Sequence, residues 1–151
     1  MARGSVGAFL NWQDFNQVTG WFIITYPLLL VCLPYYFFLT GIPSLGLVFA
    51  MVALIVVTEM SITAGYHRYY AHRAFKLSKV VEPFLLFFGT LATQGSVLRW
   101  SYEHRVHHQF VDKDNDPYCI KKGFWYAHFL WMFEKSQPID HKLVKDLESN
   151  K

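Results

Sequence analysis

Five of the seven histidines in this chain fall into two short clusters. His67 and His72 enclose Arg68-Tyr69-Tyr70-Ala71 at an H-x4-H spacing, and further along His104, His107 and His108 form an H-x2-H-H. Neutral imidazole is the commonest metal ligand among side chains and suits iron, zinc and copper. At the H-x2-H-H spacing, three rings project within about 100° of one another on one face of an α-helix. Such a face packs poorly, because the rings repel when protonated and carry unmet polar atoms when neutral. His67 and His72, five apart, diverge by about 140° on a regular helix. They share one ion only if the helix unwinds between them, and otherwise reach different ions. A lone histidine is ordinarily satisfied by water or a carbonyl. Five in this pattern, each cluster just past a long apolar stretch, point to most of a metal centre with more than one ion.

The elements that must hold these residues are unusually apolar. Of 151 residues, 53% are hydrophobic, 19% aromatic and only 17% charged, outside the range of an ordinary soluble domain. Phe15 to Thr58 contains no Asp, Glu, Lys or Arg. The run is broken at Thr40-Gly41-Ile42-Pro43-Ser44, a turn by composition. Its halves, Trp21–Leu39 and Leu45–Thr63, each approach the roughly 20 residues that span a bilayer. They read as a transmembrane hairpin, with Pro27 and Pro34 bending the first span. The first twenty residues are mixed and polar, and the apolar run starts too late and runs too long for a cleaved leader. Arg68, Arg73, Lys76 and Lys79 crowd the far end of the second span while the hairpin tip is uncharged, which places both termini and both clusters on the cytoplasmic side. Cys32 and Cys119 lie in dissimilar surroundings and read as reduced thiols. The net charge of +3 follows topology, and no basic stripe or motif indicates nucleic acid.

The predicted fold class is therefore all-α: an integral membrane helical hairpin with a cytoplasmic or interfacial helical cap carrying the histidines. The expected divisions are an N-terminal cytoplasmic segment (1–20), the hairpin (21–64), the histidine region (65–134) and a polar tail (135–151). Val80–Val97 is apolar enough to suggest a third span. Crossing would put the two clusters about 30 Å apart on opposite faces, too far for one site, so this segment is read as interfacial or packed on the spans. Asp112-Lys113-Asp114-Asn115-Asp116-Pro117 fails as a calcium loop, since Pro117 and Gly123 stand where glycine and glutamate are needed, and reads as a solvated loop. Gly123–Phe133 has the aromatic density of an interfacial helix. In it His128 reads as a packed or hydrogen-bonded histidine, and His141, in the tail, as a solvated one. Glu59 reads equally as an acceptor orienting an imidazole or as a residue reaching the interface. Arg68, Arg73, Arg105, Lys121 and Lys122 suit either an anion cradle or anchoring to anionic headgroups.

The stretch Ile62-Thr63-Ala64-Gly65 through His67-Arg68-Tyr69-Tyr70-Ala71-His72 to Arg73-Ala74-Phe75-Lys76 resembles the first histidine box of membrane fatty acyl desaturases of the delta-9, stearoyl-CoA type. Trp100, His104-Arg105-Val106-His107-His108-Gln109-Phe110, Asp116-Pro117 and Lys122-Gly123-Phe124 through Ala127-His128 resemble the second box and its sequel. The likeness runs from about Glu59 to Met132. It implies a pair of non-haem irons, O2 as co-substrate, an external electron-transfer protein as donor, and removal of two hydrogens from a methylene pair of a long acyl chain. By that resemblance His67, His72, His104, His107 and His108 are iron ligands. Gln94 and Trp100 match positions lining the acyl tunnel, and Lys121 and Lys122 match a basic pair facing the carrier. It further implies a multi-pass protein of the endoplasmic reticulum or a bacterial inner membrane.

The sequence departs from the family pattern twice. Tyr102-Glu103 replaces an Arg-Asp pair that contacts CoA in animal members, which leaves acyl-CoA, acyl carrier protein and membrane lipid open as carriers, acyl-CoA first. The family's third box, H-x2-H-H, with a further histidine and asparagine, has no counterpart after His108. The chain is thus expected to be the N-terminal part of such an enzyme and catalytically silent by itself. Alternatives are a membrane diiron hydroxylase, a metal-binding membrane protein without catalysis, and an inactive fragment. A transporter is disfavoured by the absence of ionisable groups at mid-membrane.

Overall fold

The computed structural model describes residues 15–149, which form helices and turns with no β-sheet; Phe15 and Glu134 make one isolated bridge. The polar start expected for residues 1–20 lies outside the described residues as far as residue 14, as do residues 150 and 151 of the tail. Two units are distinguished: residues 15–44 with 110–137, and residues 45–109 with 138–149.

In the first unit, α1 runs from Gln17 to Thr40. Asn16 caps it by accepting from the Thr19 amide at 3.2 Å, and Gly41, at φ +100°, closes it with its N–H on the Phe37 carbonyl. Asn16 also donates its backbone N–H to the Phe133 carbonyl at 2.7 Å, and Phe15 stacks on Phe133. Gly20 lies beneath the Phe15 ring, where a Cβ would collide with Cζ. The unit continues through a turn at Ile120–Lys122, a short α5 at Phe124–His128 and another turn at Leu130–Phe133.

The second unit opens with α2, Leu45–Met60, which continues without a break as a π-helix, Ser61–Ala71. α1 and this 27-residue composite have mean hydropathies of 2.0 and 2.3 over their most apolar windows, and both are long enough to cross a bilayer. Leu28, Leu29, Leu30, Val31, Leu54, Ile55 and Val56 are exposed, so apolar side chains occupy every face, as in a lipid-facing helix. Thr25 and Thr58 return their hydroxyls to carbonyls four residues back, which satisfies both within their helices.

α3 covers only Val81–Leu91, 11 residues or about 16 Å, which is half the bilayer core. Thr93 and Gly95, at φ 59° and 84°, end it and turn the chain into α4, Val97–Phe110. α3 lies against the π-helix because two glycines permit it. A Cβ on Gly65 would meet Leu85 Cβ at 3.2 Å, and one on Gly89 would meet Tyr66 Cε1 at 2.5 Å. Tyr66 and Tyr70 also reach α3, through Thr90 Oγ1 (3.3 Å) and Glu82 Oε1 (3.0 Å). Ile62, Tyr66 and Tyr70 form the buried cluster, flanked by Leu86, Val97, Trp100 and Leu147. Leu147 belongs to α6, Lys145–Glu148, which follows a turn at His141–Leu143. Val144, fully buried, shows that this polar stretch is packed structure and not a loose end. His141 is exposed, as expected, and also pairs with Glu148.

Candidate metal centre

The π-helix resolves the problem that the H-x4-H spacing posed. Its i→i+5 bonding brings residues five apart back to one face, and the His72 amide donates to the His67 carbonyl at 3.0 Å in that register. His72 closes the element, and Arg73 leaves it at φ 52°. α4 presents His104 and His108, one turn apart, to the same point. The Nε2 atoms lie 3.1 Å apart for His67 and His72, 2.9 Å for His72 and His104, and 3.1 Å for His104 and His108. All four donor atoms fall within 4.8 Å of one another.

These contacts cannot all be hydrogen bonds. Each Nε2 carries either one proton or one lone pair, yet His72 and His104 each face two neighbours, so one contact is left unmet. Nitrogens bound about 2.1 Å from a common ion stand about 2.9–3.4 Å apart. The three close spacings suit ligands that could share a cation, and the donor set, four imidazoles, suits iron, zinc or copper. Burial, followed by the neighbouring imidazoles, lowers the His104 pKa to about 4, and burial and then His67 lower that of His72. Both rings are therefore neutral at pH 7, with lone pairs available. Among the sequence-derived candidates, His107 alone of the five histidines stays outside this quartet. Its ring lies 6.4 Å from that of His104 and 5.6 Å from that of His108.

Trp100 stacks on His104 at 4.9 Å and meets His67 edge-on at 6.0 Å, forming an aromatic wall beside the nitrogens. Gln94 holds it there by accepting from the indole Nε1–H at 3.1 Å. Lys121 and Lys122 occupy the other unit. Lys122 Nζ donates to Tyr126 Oη at 3.1 Å and lies over that ring, and Tyr126 donates in turn to Glu134. Desolvation and Glu134 push the Tyr126 pKa up. His128 Nδ1 bonds the Phe124 carbonyl and its ring stacks on Phe124, a packed histidine. Glu59 is exposed, while Glu82 takes a tyrosine hydroxyl.

Two sequence readings are corrected. The loop at 112–117 is not simply solvated: Asp116 is 1% exposed and accepts from the amides of Asp112 and Tyr118, which folds the turn around it. Arg105 is neither an anion cradle nor a headgroup anchor, because its guanidinium faces inward onto backbone carbonyls and Asp146. Arg73 reaches the same carboxylate. Asp146 was missed because it sits in a charged tail far from either box, with no periodicity to mark it.

Comparison with known proteins bears on this arrangement. The family model described as fatty acid desaturase matches residues 42–147. The chain is 40% identical over 141 residues to a probable acyl-CoA desaturase of Schizosaccharomyces pombe, covering 92% of this chain and 29% of that protein. It is 49% identical over 91 residues to delta-9 acyl-lipid desaturase 1 of Arabidopsis thaliana (59% of this chain, 30% of that one). It is 37% identical over 131 residues to acyl-CoA desaturase 1 of Saccharomyces cerevisiae (85% and 24%). The chain thus spans under a third of the length of each of these curated relatives.

Proposed function

The chain belongs to the fatty acid desaturase family, and from that premise we propose that it acts in the O2-dependent, delta-9-type desaturation of a long saturated acyl chain, with acyl-CoA as the first candidate carrier. The single observation that carries this reading is the convergence of His67, His72, His104 and His108 through Nε2. The ion they would hold is iron. His107, on the neighbouring part of α4, is proposed as a ligand of a second iron. Bound iron would supply O2 activation and the oxidising power to take hydrogens from an unactivated methylene pair, fed by electrons from a separate donor protein.

The chain's own residues prepare that chemistry. The neutral state of His104 and His72 leaves their lone pairs free of competing protons at physiological pH. Trp100 fixes the His104 ring plane and, held by Gln94, offers an apolar surface beside the nitrogens along which an acyl chain can lie. α1 and the α2 composite anchor the chain in the bilayer, where its substrate is soluble. The shortness of α3 supports a topology in which both histidine clusters stay on one side, proposed as the cytoplasmic side of the endoplasmic reticulum or a bacterial inner membrane.

The test is acyl-chain analysis by mass spectrometry after the chain, in its full-length context, is expressed in cells deprived of their own desaturase. Loss of one hydrogen from each of roughly the ninth and tenth carbons, as the delta-9 reading requires, abolished by His104→Ala, is the expected result. Gain of oxygen without a double bond would favour hydroxylation, and unchanged acyl chains with the intact protein would refute both.

A further inference from the structure

Arg105 stands directly after His104 in α4, and its guanidinium uses every donor it has. Nε donates to the Ala71 carbonyl at 3.0 Å, Nη2 to the Tyr70 carbonyl at 2.6 Å, and Nη1 to the Leu143 carbonyl at 2.6 Å. The remaining two N–H groups form a fork on Asp146, Nη1 to Oδ1 at 2.8 Å and Nη2 to Oδ2 at 2.9 Å. Five donors meet five acceptors, which is all an arginine offers. Ala71 and Tyr70 are the two residues before His72, at the end of the π-helix where carbonyls lack partners within the helix. On the other side of His72, Arg73 donates through Nε to Asp146 Oδ2 at 2.7 Å. The backbone bearing His72 is therefore gripped before and after the ligand, and both grips end on one carboxylate. That carboxylate is set in place by Val144, fully buried, and Leu147, which packs on the Ile62–Tyr66–Tyr70 cluster.

We propose that Arg105 and Asp146 are positioning residues for the histidine centre: the Asp146 carboxylate fixes the Arg105 guanidinium, which locks the His72 backbone to the helix carrying His104. This rests on the reading of the four histidines as metal ligands. Neither residue touches the metal-facing nitrogens. Their effect is on the 2.9 Å separation between His72 and His104, which joins the end of the π-helix to α4. Partners of this kind behind a ligand typically alter metal affinity by about 10- to 100-fold.

The experiment is Co2+ titration of the full chain in detergent, read by its visible ligand-field bands, with helix content by circular dichroism and melting temperature measured in parallel. Asp146→Asn keeps size and one acceptor oxygen but removes the charge. It should weaken Co2+ binding about 10-fold or more and shift the bands, at wild-type helix content. Val144→Ala loosens the same strap by packing alone and should lower the melting temperature without moving the bands. Equal band shifts in both variants, or an unchanged titration in Asp146→Asn, overturn the proposal. Should Asp146→Asn not fold, Asp146→Glu, which restores the charge with the fork displaced, is read instead: wild-type bands and affinity refute positioning, and shifted bands support it. His104→Ala separates the two levels. If it still binds Co2+ like wild type, the ligand reading itself fails; if it does not, while Asp146→Asn is silent, only the positioning role fails.

Discussion

Replacing Gly89 by alanine tests whether the seam between α3 and the π-helix is as tight as its geometry requires. Two terms oppose each other. Gly89 lies inside α3 with no positive φ, so alanine gains roughly 1 kcal/mol of helix propensity. Against this, the new Cβ would stand 2.5 Å from Tyr66 Cε1 and 3.0 Å from Cδ1. Ordinary contact needs about 1 Å more than the shorter of these. Tyr66 cannot swing aside: it is 1% exposed, its hydroxyl meets Thr90, and its ring lies edge-on to Trp100 at 6.2 Å. The helices must part instead, and overpacking of this kind costs about 1–3 kcal/mol. For this buried ring we take the upper part of that range, so the net destabilisation is about 1–2 kcal/mol, or about 3–6 °C in melting temperature for a chain of this size. The assay is thermal unfolding in detergent, followed by helix content. Tyr66→Leu in the same chain should relieve the clash, making the double variant less destabilised than the sum of the single ones. An unchanged or raised melting temperature in Gly89→Ala alone would refute the argument, because propensity would then outweigh a seam that is looser than described.

Two further outcomes follow from the site. In the full-length context, His107→Ala should abolish turnover while leaving one of two iron equivalents bound, because His107 is outside the quartet; loss of all iron, measured by elemental analysis with membrane insertion intact, would place it in the first site. The metal-free protein should lose stability in two windows as pH falls. His104 has a folded pKa of about 4, below the roughly 6.5 of an unfolded histidine, so its contribution is present above about 6.5 and is lost as pH falls towards 4. Asp146 is held well below the usual carboxylate range, first by its hydrogen bond from Arg105, so its contribution begins to fall only below about 3.9. Unfolding measured against pH should show the upper window flattened in His104→Gln and the lower one in Asp146→Asn.

What could be read from the chain differs from residue to residue for physical reasons. The two apolar helices and the meeting of four clustered histidines were legible because long uncharged runs and imidazoles repeated at fixed spacings each leave a pattern in the sequence. The expectation that Val80–Val97 stays on one side came from the need to bring the clusters together; what the fold shows there is α3, only 11 residues long, ending where Thr93 and Gly95 turn the chain. The joint use of His67 and His72 was not decided, because 3.6-residue periodicity assumes a helix that this segment does not adopt. Arg105 misled because arginine near a membrane surface is ordinarily solvated, and only the folded positions of the Tyr70, Ala71 and Leu143 carbonyls reveal its inward orientation. Asp146 carried no signal at all: its partners are 41 and 73 residues away in the chain.

The wide-bore winding between Ser61 and Ala71 also makes the first histidine pair a matter of counting. In a spiral whose bonds join residues five apart, His67 and His72 occupy successive laps of one track. Removing a single residue between them would leave both imidazoles, their neighbours and the hydropathy of the segment almost untouched. A spacing of four would still suit an ordinary helix, yet everything downstream would be rotated and drawn back by one step, so Arg73 and the chain entering α3 would arrive out of phase. A gap of one residue in this stretch therefore weighs more than most substitutions within it, and a sequence that keeps both histidines but changes the number of residues between them should be regarded as carrying a different site.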